Sequence, residues 1–79
     1  MYTDSMRKAF RSLKGPDGFQ LQIVDHDNFL TVKASEKEFM SLSGEERKQA
    51  VEYMIRTKKA LEDNGAIVLL VREGGKELW

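Results

Sequence analysis

The chain has 79 residues, of which 41% are hydrophobic and 33% are charged, and its 13 basic and 13 acidic side chains give a net charge of zero. This length leaves room for one hydrophobic core, so residues 1–79 are predicted to form a single domain, and regularly spaced apolar residues exclude a disordered chain. Because cysteine is lacking, disulfides, thiol nucleophiles and thiolate-bound metals are excluded.

The amino-acid pattern shows no targeting or membrane segment. The longest apolar run, Ala66–Val71, is far shorter than the roughly 20 residues that a membrane-spanning helix needs. The N-terminus lacks the cationic start and apolar stretch of an export signal, and nothing indicates an oxidising compartment. We therefore expect a cytoplasmic protein that does not bind membranes.

The first predicted element is a helix over residues 4–14. Its apolar residues recur every three or four positions and form one stripe, as in a helix with one buried face. They are Tyr2, Met6, Phe10 and Leu13. Thr3 or Asp4 can cap the first amides, and Gly15-Pro16 is expected to end the helix.

The same helix carries the best candidate for contact with nucleic acid. Its cations lie off the apolar stripe and are Arg7, Lys8, Arg11 and Lys14. Binding through all of them would weaken steeply with salt. No aromatic residue is interleaved with them for base stacking, since Tyr2 and Phe10 belong to the stripe. A solvated basic face is the simpler interpretation, and weak nucleic-acid binding is the alternative.

Two alternating segments predict a β-hairpin. In residues 19–25 and 30–34, apolar and polar side chains alternate with the period of a strand that has one covered face. The residues between them, Asp25 to Asn28, have the short polar side chains of a turn. His26 lies among aspartates there, but adjacent residues on a tight turn cannot easily aim three ligands at one ion. We expect a plain turn and no metal.

Two capping patterns predict two successive helices after the hairpin. Ser35 followed by Glu38 begins a short helix over about residues 36–42, and Ser43 followed by Glu46 begins a long one. A break between them is therefore expected.

The last predicted element is a strand. Asn64-Gly65 ends the long helix, and Ala66–Val71 is apolar without alternation, which predicts a strand that is covered on both faces or lies in the middle of the sheet. Because a helix connects it to the hairpin, we expect it to run parallel to the second strand. The predicted fold is α+β, in the order α-β-β-α-α-β, with a three-stranded mixed sheet and helices on one face.

This order is the type II KH arrangement, which is also that of the BolA-like family, and short segments resemble that family. Residues 19–25 resemble its first strand, and residues 32–35 followed by Phe39 resemble its second strand and the segment after it. Glu46-Arg47 is similar to the start of a Glu-Arg-His-Arg stretch, and residues 77–79 are similar to a C-terminal Glu-Trp ending.

The departures from the family concern its iron chemistry. Lys48 and Gln49 stand where the family has His-Arg, and Ile67 opens the stretch where BolA proteins have His-Ala-Leu. The iron-binding histidine is thus missing, and His26 falls where some members carry a loop ligand. The resemblance implies the fold without an iron–sulfur cluster shared with a glutaredoxin, so no cofactor is expected.

Nucleic-acid binding of the KH type is not indicated. The sequence Gly15-Pro16-Asp17-Gly18 matches the GxxG motif, but it precedes the first strand and carries an acid that would repel phosphate. At the position of the KH loop, residues 42–46 include two acids and one glycine.

No arrangement of catalytic residues is recognisable, so we expect a protein that is not an enzyme. The first functional hypothesis is a protein-interaction or regulatory module that binds an unknown protein partner through the region of the helix break. Its predicted contact residues are Phe39, Met40, Leu42, Arg47, Lys48 and Trp79. A third hypothesis, besides weak nucleic-acid binding, is a small scaffold that dimerises through a free edge of its sheet. The chain is therefore expected to be a monomer or an edge-paired dimer.

Overall fold

The computed structural model describes residues 1–73. Its elements confirm the predicted α+β fold and the order α-β-β-α-α-β. They are α1 (Asp4–Arg11), β1 (Leu21–Asp25), β2 (Leu30–Ala34), α2 (Glu36–Met40), α3 (Gly44–Asp63) and β3 (Val68–Arg72). Trp79 and the other residues of the C-terminal Glu-Trp ending lie outside the described residues.

The three strands form one mixed sheet in the order β1-β2-β3. β1 is antiparallel to β2, and β3 is parallel to β2 with Leu30 beside Val68, which confirms the predicted pairing. The central strand is β2, however, and β3 lies at an edge of the three strands described. The prediction that Ala66–Val71 is covered on both faces or central is therefore wrong: Ile67 is 67% exposed and Leu69 is 43% exposed.

Helix α1 begins as predicted but ends earlier. The hydroxyl of Thr3 accepts a hydrogen bond from the N–H of Met6 at 3.2 Å and caps the first turn. The helix ends at Arg11, because Ser12 takes the C-cap position and its hydroxyl donates to a carbonyl of the last turn. Lys14 therefore lies beyond the helix on which it was predicted.

Gly15 is required for close packing rather than for stopping α1. A Cβ atom built on Gly15 would overlap the ring of Tyr53 on α3. The Tyr53 ring also stacks on Phe10 of α1, with the ring centroids 6.3 Å apart. The segment after α1 can approach α3 here only because residue 15 has no side chain.

The two predicted caps of α2 and α3 are present, but they differ. Ser43 and Glu46 form a reciprocal capping box at the start of α3. Ser35 caps α2, yet the carboxylate of Glu38 accepts instead from the N–H of Gln20 at 3.1 Å, and this bond ties α2 to the residue before β1.

Helix α3 ends at Asp63, and the predicted Asn64-Gly65 pair follows it, with Asn64 at the C-cap. Gly65 has φ +94, and the N–H of Ala66 donates to the carbonyl of Leu61 across the end of the helix. This geometry turns the chain sharply toward β3.

The core lies between the helices and one face of the sheet. Three alternate residues of β2, namely Leu30, Val32 and Ala34, are at most 1% exposed and run through both parts of the core. One part also contains Met6, Leu61 and Val68, and the other Phe19, Leu42, Ala50 and Met54. Within residues 1–73, no helix has the length and apolar character to cross a membrane.

Candidate functional site

The sheet has a second face, against which no described helix packs. Side chains alternate along a strand, so the residues between the buried ones of β2 point away from the helices. The strand registers place their neighbours beside them on the same side. We call this surface the open sheet face; it consists of Gln22, Val24, Thr31, Lys33, Leu69 and Val71.

One row of the open sheet face is apolar. Val24 and Leu69 flank Thr31 on the neighbouring strands. Thr31 is only 9% exposed although no described helix covers it. Leu69 is 43% exposed and is thus the most accessible apolar side chain of the row. Exposed apolar surface of this kind is typical of contact sites.

His26 borders this row at the β1–β2 turn. Its Nε2 atom lies 3.0 Å from the hydroxyl oxygen of Thr31, and its ring stacks on Phe29 with the ring centroids 4.5 Å apart. The imidazole therefore packs as part of the sheet surface.

The aspartates beside His26 bind backbone and N-terminal groups. Asp25 accepts from the N–H groups of Asp27 and Tyr2 at 2.8 and 2.9 Å and pairs with the amino group of Met1. These donors, with the amino group foremost, lower the pKa of the Asp25 carboxyl below its ordinary value. Among residues 1–73, no three His, Asp or Glu side chains are arranged to hold a metal ion.

The second row of the open sheet face contains a cation. Lys33 lies between Gln22 and Val71 and is exposed. Within the described part of the chain its ammonium group makes no ion pair or hydrogen bond. A shallow depression of about 440 Å³ adjoins it, with Glu38 and Glu73 also in its lining. Ser35 also lines the depression, where its hydroxyl accepts a hydrogen bond from the N–H of Glu38 at 3.2 Å as the cap of α2, and no histidine is among the described lining residues.

The region of the helix break is largely occupied by internal contacts. Phe39 is half-buried and packs edge-to-face on Phe19, with 6.1 Å between the ring centroids. The guanidinium of Arg47 lies 5.9 Å from the Phe39 ring centroid and donates to the Met40 carbonyl at 2.9 Å. These contacts hold the start of α3 against α2.

Leu42, which was predicted as a contact residue, lies in the core. It is 8% exposed and packs with Ala50 and Met54. Of the residues predicted to bind a partner here, Met40, which is 57% exposed, and Lys48 remain accessible. The predicted contact at Trp79 lies outside the described residues.

The basic residues near the N-terminus are all accessible. Arg7, Lys8 and Arg11 lie on α1 and Lys14 follows it, and within residues 1–73 none of them forms an ion pair. The Arg7 guanidinium lies 5.4 Å from the ring centroid of Tyr2. Burial raises the pKa of the Tyr2 hydroxyl, and the charges of Arg7 and Arg11 oppose part of that rise.

The open sheet face was missed by sequence reasoning, although a signal for it exists. β1 and β2 present apolar side chains mainly on their covered face, whereas β3 is apolar on both faces. When helices cover one face only, the second set of apolar residues on β3 must remain accessible. Leu69 and Val71 are those residues.

Comparisons with models of protein families, with curated proteins and with solved structures find no match to this chain. The resemblance to the BolA-like family therefore stays a prediction.

Proposed function

We propose that the chain is a small non-enzymatic binding module that acts through protein–protein contacts and binds its partner with the open sheet face. The observation that supports this most is the exposure of Leu69, which lies in one row with Val24 and on the same strand as Val71, on a face against which no described helix packs. Antiparallel sheets that expose one face to water usually carry polar residues there. Stable domains cover apolar sheet faces with a second layer, and a partner can supply that layer.

The resemblance to the BolA-like family adds a regulatory role to this proposal. Ile67 stands where that family has its iron-binding histidine. The module would therefore act by contact alone and would need no cofactor. Met40 and Lys48 at the helix break offer a smaller, secondary contact region.

Site-specific photo-crosslinking in extracts of the source cells tests the proposal. Ile67 directly precedes β3 and is 67% exposed, and Ile55 on α3 is a matched control at 57%. A photoreactive residue at position 67 should cross-link a defined protein that position 55 does not, and the variant Leu69→Lys should abolish the product. Identical products from both positions, or no product at position 67, would contradict the proposal.

Weak nucleic-acid binding is the second candidate function. It is favoured by the exposure of Arg7, Lys8, Arg11 and Lys14 and by their lack of ion pairs in the described part of the chain. Oligonucleotide titrations at several salt concentrations test it. Replacing Arg7 and Lys8 by Gln should make the plot of log binding constant against log salt concentration less steep, by an amount that corresponds to about two phosphate contacts. The same change at Lys48 and Lys59 is the control, and equal effects of both pairs would remove this candidate.

A further inference from the structure

We infer that the occupant of the open sheet face is one amphipathic α-helix of a partner protein, with an acidic side chain that reaches Lys33. This inference rests on the proposed function and specifies its ligand. It follows from the size of the face, from its charge and from the spacing of its rows.

The size of the face matches a single helix. Three strands of five residues measure about 14 by 16 Å at the usual strand spacing and rise. A helix with its side chains is about 10–12 Å wide, and about 11 residues extend 16 Å. A second copy that packs on this face alone would bury roughly 500 Å², too little for a stable dimer, which needs more than about 1,200 Å². A single helix buries a similar area, so we expect it to bind weakly and reversibly.

The charge of the face also disfavours a second copy. Lys33 lies on the central strand, and none of the six residues of the open sheet face is acidic. A twofold axis along β2 would bring two Lys33 side chains together, and one across the strands would place each Lys33 against the row of Thr31, which carries no carboxylate. A copy shifted toward Glu73 could pair with Lys33, but it would leave the row of Val24 and Leu69 uncovered. A partner that carries its own carboxylate can cover the row of Val24 and Leu69 and pair with Lys33 at the same time.

The spacing of the rows fixes the pattern of the ligand. The apolar row that contains Thr31 and the row that contains Lys33 are two residues apart along β2. This separation is about 6.6 Å, close to the 5.4 Å pitch of an α-helix. An apolar residue against the first row therefore places a residue three or four positions away over Lys33. The expected ligand carries leucines in one stripe with a glutamate one turn along it.

A designed peptide tests this inference on the full chain. The probe is an acetylated and amidated amphipathic helical peptide with a leucine stripe that contains one glutamate. The first control peptide has the same composition in scrambled order, and the second has lysine in place of the glutamate. Binding is followed by NMR, and we expect saturable shifts at Val24, Thr31, Lys33 and Leu69, with none on α1.

Charge reversal identifies the predicted ion pair. Lys33→Glu should weaken binding of the glutamate peptide roughly fivefold and strengthen binding of the lysine peptide by a similar factor. Lys59→Glu, which changes an exposed lysine on α3, is the matched control and should change neither affinity. The amide spectrum of each variant in the absence of peptide verifies that the fold is retained.

The other outcomes overturn the inference. Equal binding of the scrambled peptide, or an affinity that does not follow the charge at position 33, excludes a helical ligand at Lys33. If the molecular mass doubles as the protein concentration rises, and the contact lies on the open sheet face, this face is assigned to a second copy. If the peptide binds only after residues 74–79 are deleted, the open sheet face is assigned to that segment. A specific cross-link at Ile67 without peptide binding would retain the proposed function and reject only the helical ligand.

Discussion

Gly15 lies so close to the ring of Tyr53 that no side chain can be accommodated between them. Gly15→Ala should therefore destabilise the fold by about 1–3 kcal/mol, because either the ring or the backbone must move. Urea unfolding measures the change.

Gly44→Ala is the matched control for this prediction. No atom lies within 4 Å of a Cβ built on Gly44, and this residue begins α3. Its replacement should leave the free energy of unfolding unchanged or raise it slightly, since alanine favours helix. Equal losses in the two variants would show that the contact with Tyr53 is not the cause.

The two sides of the sheet should respond differently to truncation. Leu61 on α3 is fully buried, so Leu61→Ala should lower the free energy of unfolding by about 2–5 kcal/mol. Leu69 faces away from the helices, so Leu69→Thr should change the free energy of unfolding by less than about 0.5 kcal/mol. Thermal and urea unfolding of both variants check this. A large loss on Leu69→Thr would mean that the open sheet face is covered in the native protein.

The helix break offers a similar contrast. Leu42 is buried among core residues, so Leu42→Asp places a charge in the core and should cost more than about 3 kcal/mol. Met40→Asp introduces the same charge at an exposed position and should leave the protein folded. Circular dichroism and urea unfolding distinguish the two. A folded Leu42→Asp variant would return this residue to the candidate contact surface.

The capping box of α3 should make stability depend on pH in the acid range. Hydrogen bonds from the N–H and hydroxyl of Ser43 lower the pKa of Glu46 from its ordinary value of 4.5. The unfolded chain therefore binds the proton more readily. The stabilisation by the carboxylate is complete above pH 4.5 and is lost as the pH falls through the lower pKa of the folded state.

Two variants isolate this effect. Glu46→Gln should flatten the acid limb of a plot of unfolding free energy against pH, and Ser43→Ala should lower stability by about 1 kcal/mol at neutral pH. Glu45→Gln is the control, because Glu45 shares the first turn of α3 without belonging to the capping box. An unchanged acid limb in Glu46→Gln would contradict the prediction.

Local signals were sufficient to predict the order of the elements and the parallel pairing of β3. The alternation in residues 30–34 and the cap at Gly65 depend on near neighbours only. The residue at which α1 ends and the position of β3 at an edge of the sheet depend on packing between segments that are distant in sequence. Gly15 could be taken for a helix stop because its true partner, Tyr53, is distant in sequence. Leu69 could be taken for a buried residue because hydrophobicity does not reveal which face the helices leave uncovered.

The parallel pairing of β2 with β3 also orders the assembly of the domain. The β1–β2 hairpin and α3 can form from local contacts, whereas pairing of β3 with β2 closes a loop that includes the whole segment between Ala34 and Val68 and so costs more chain entropy. We therefore expect β3 to be the last strand to dock and the first to detach. Leu69 and Val71 reach their positions in that final step, so a ligand that binds them would also slow unfolding of the edge.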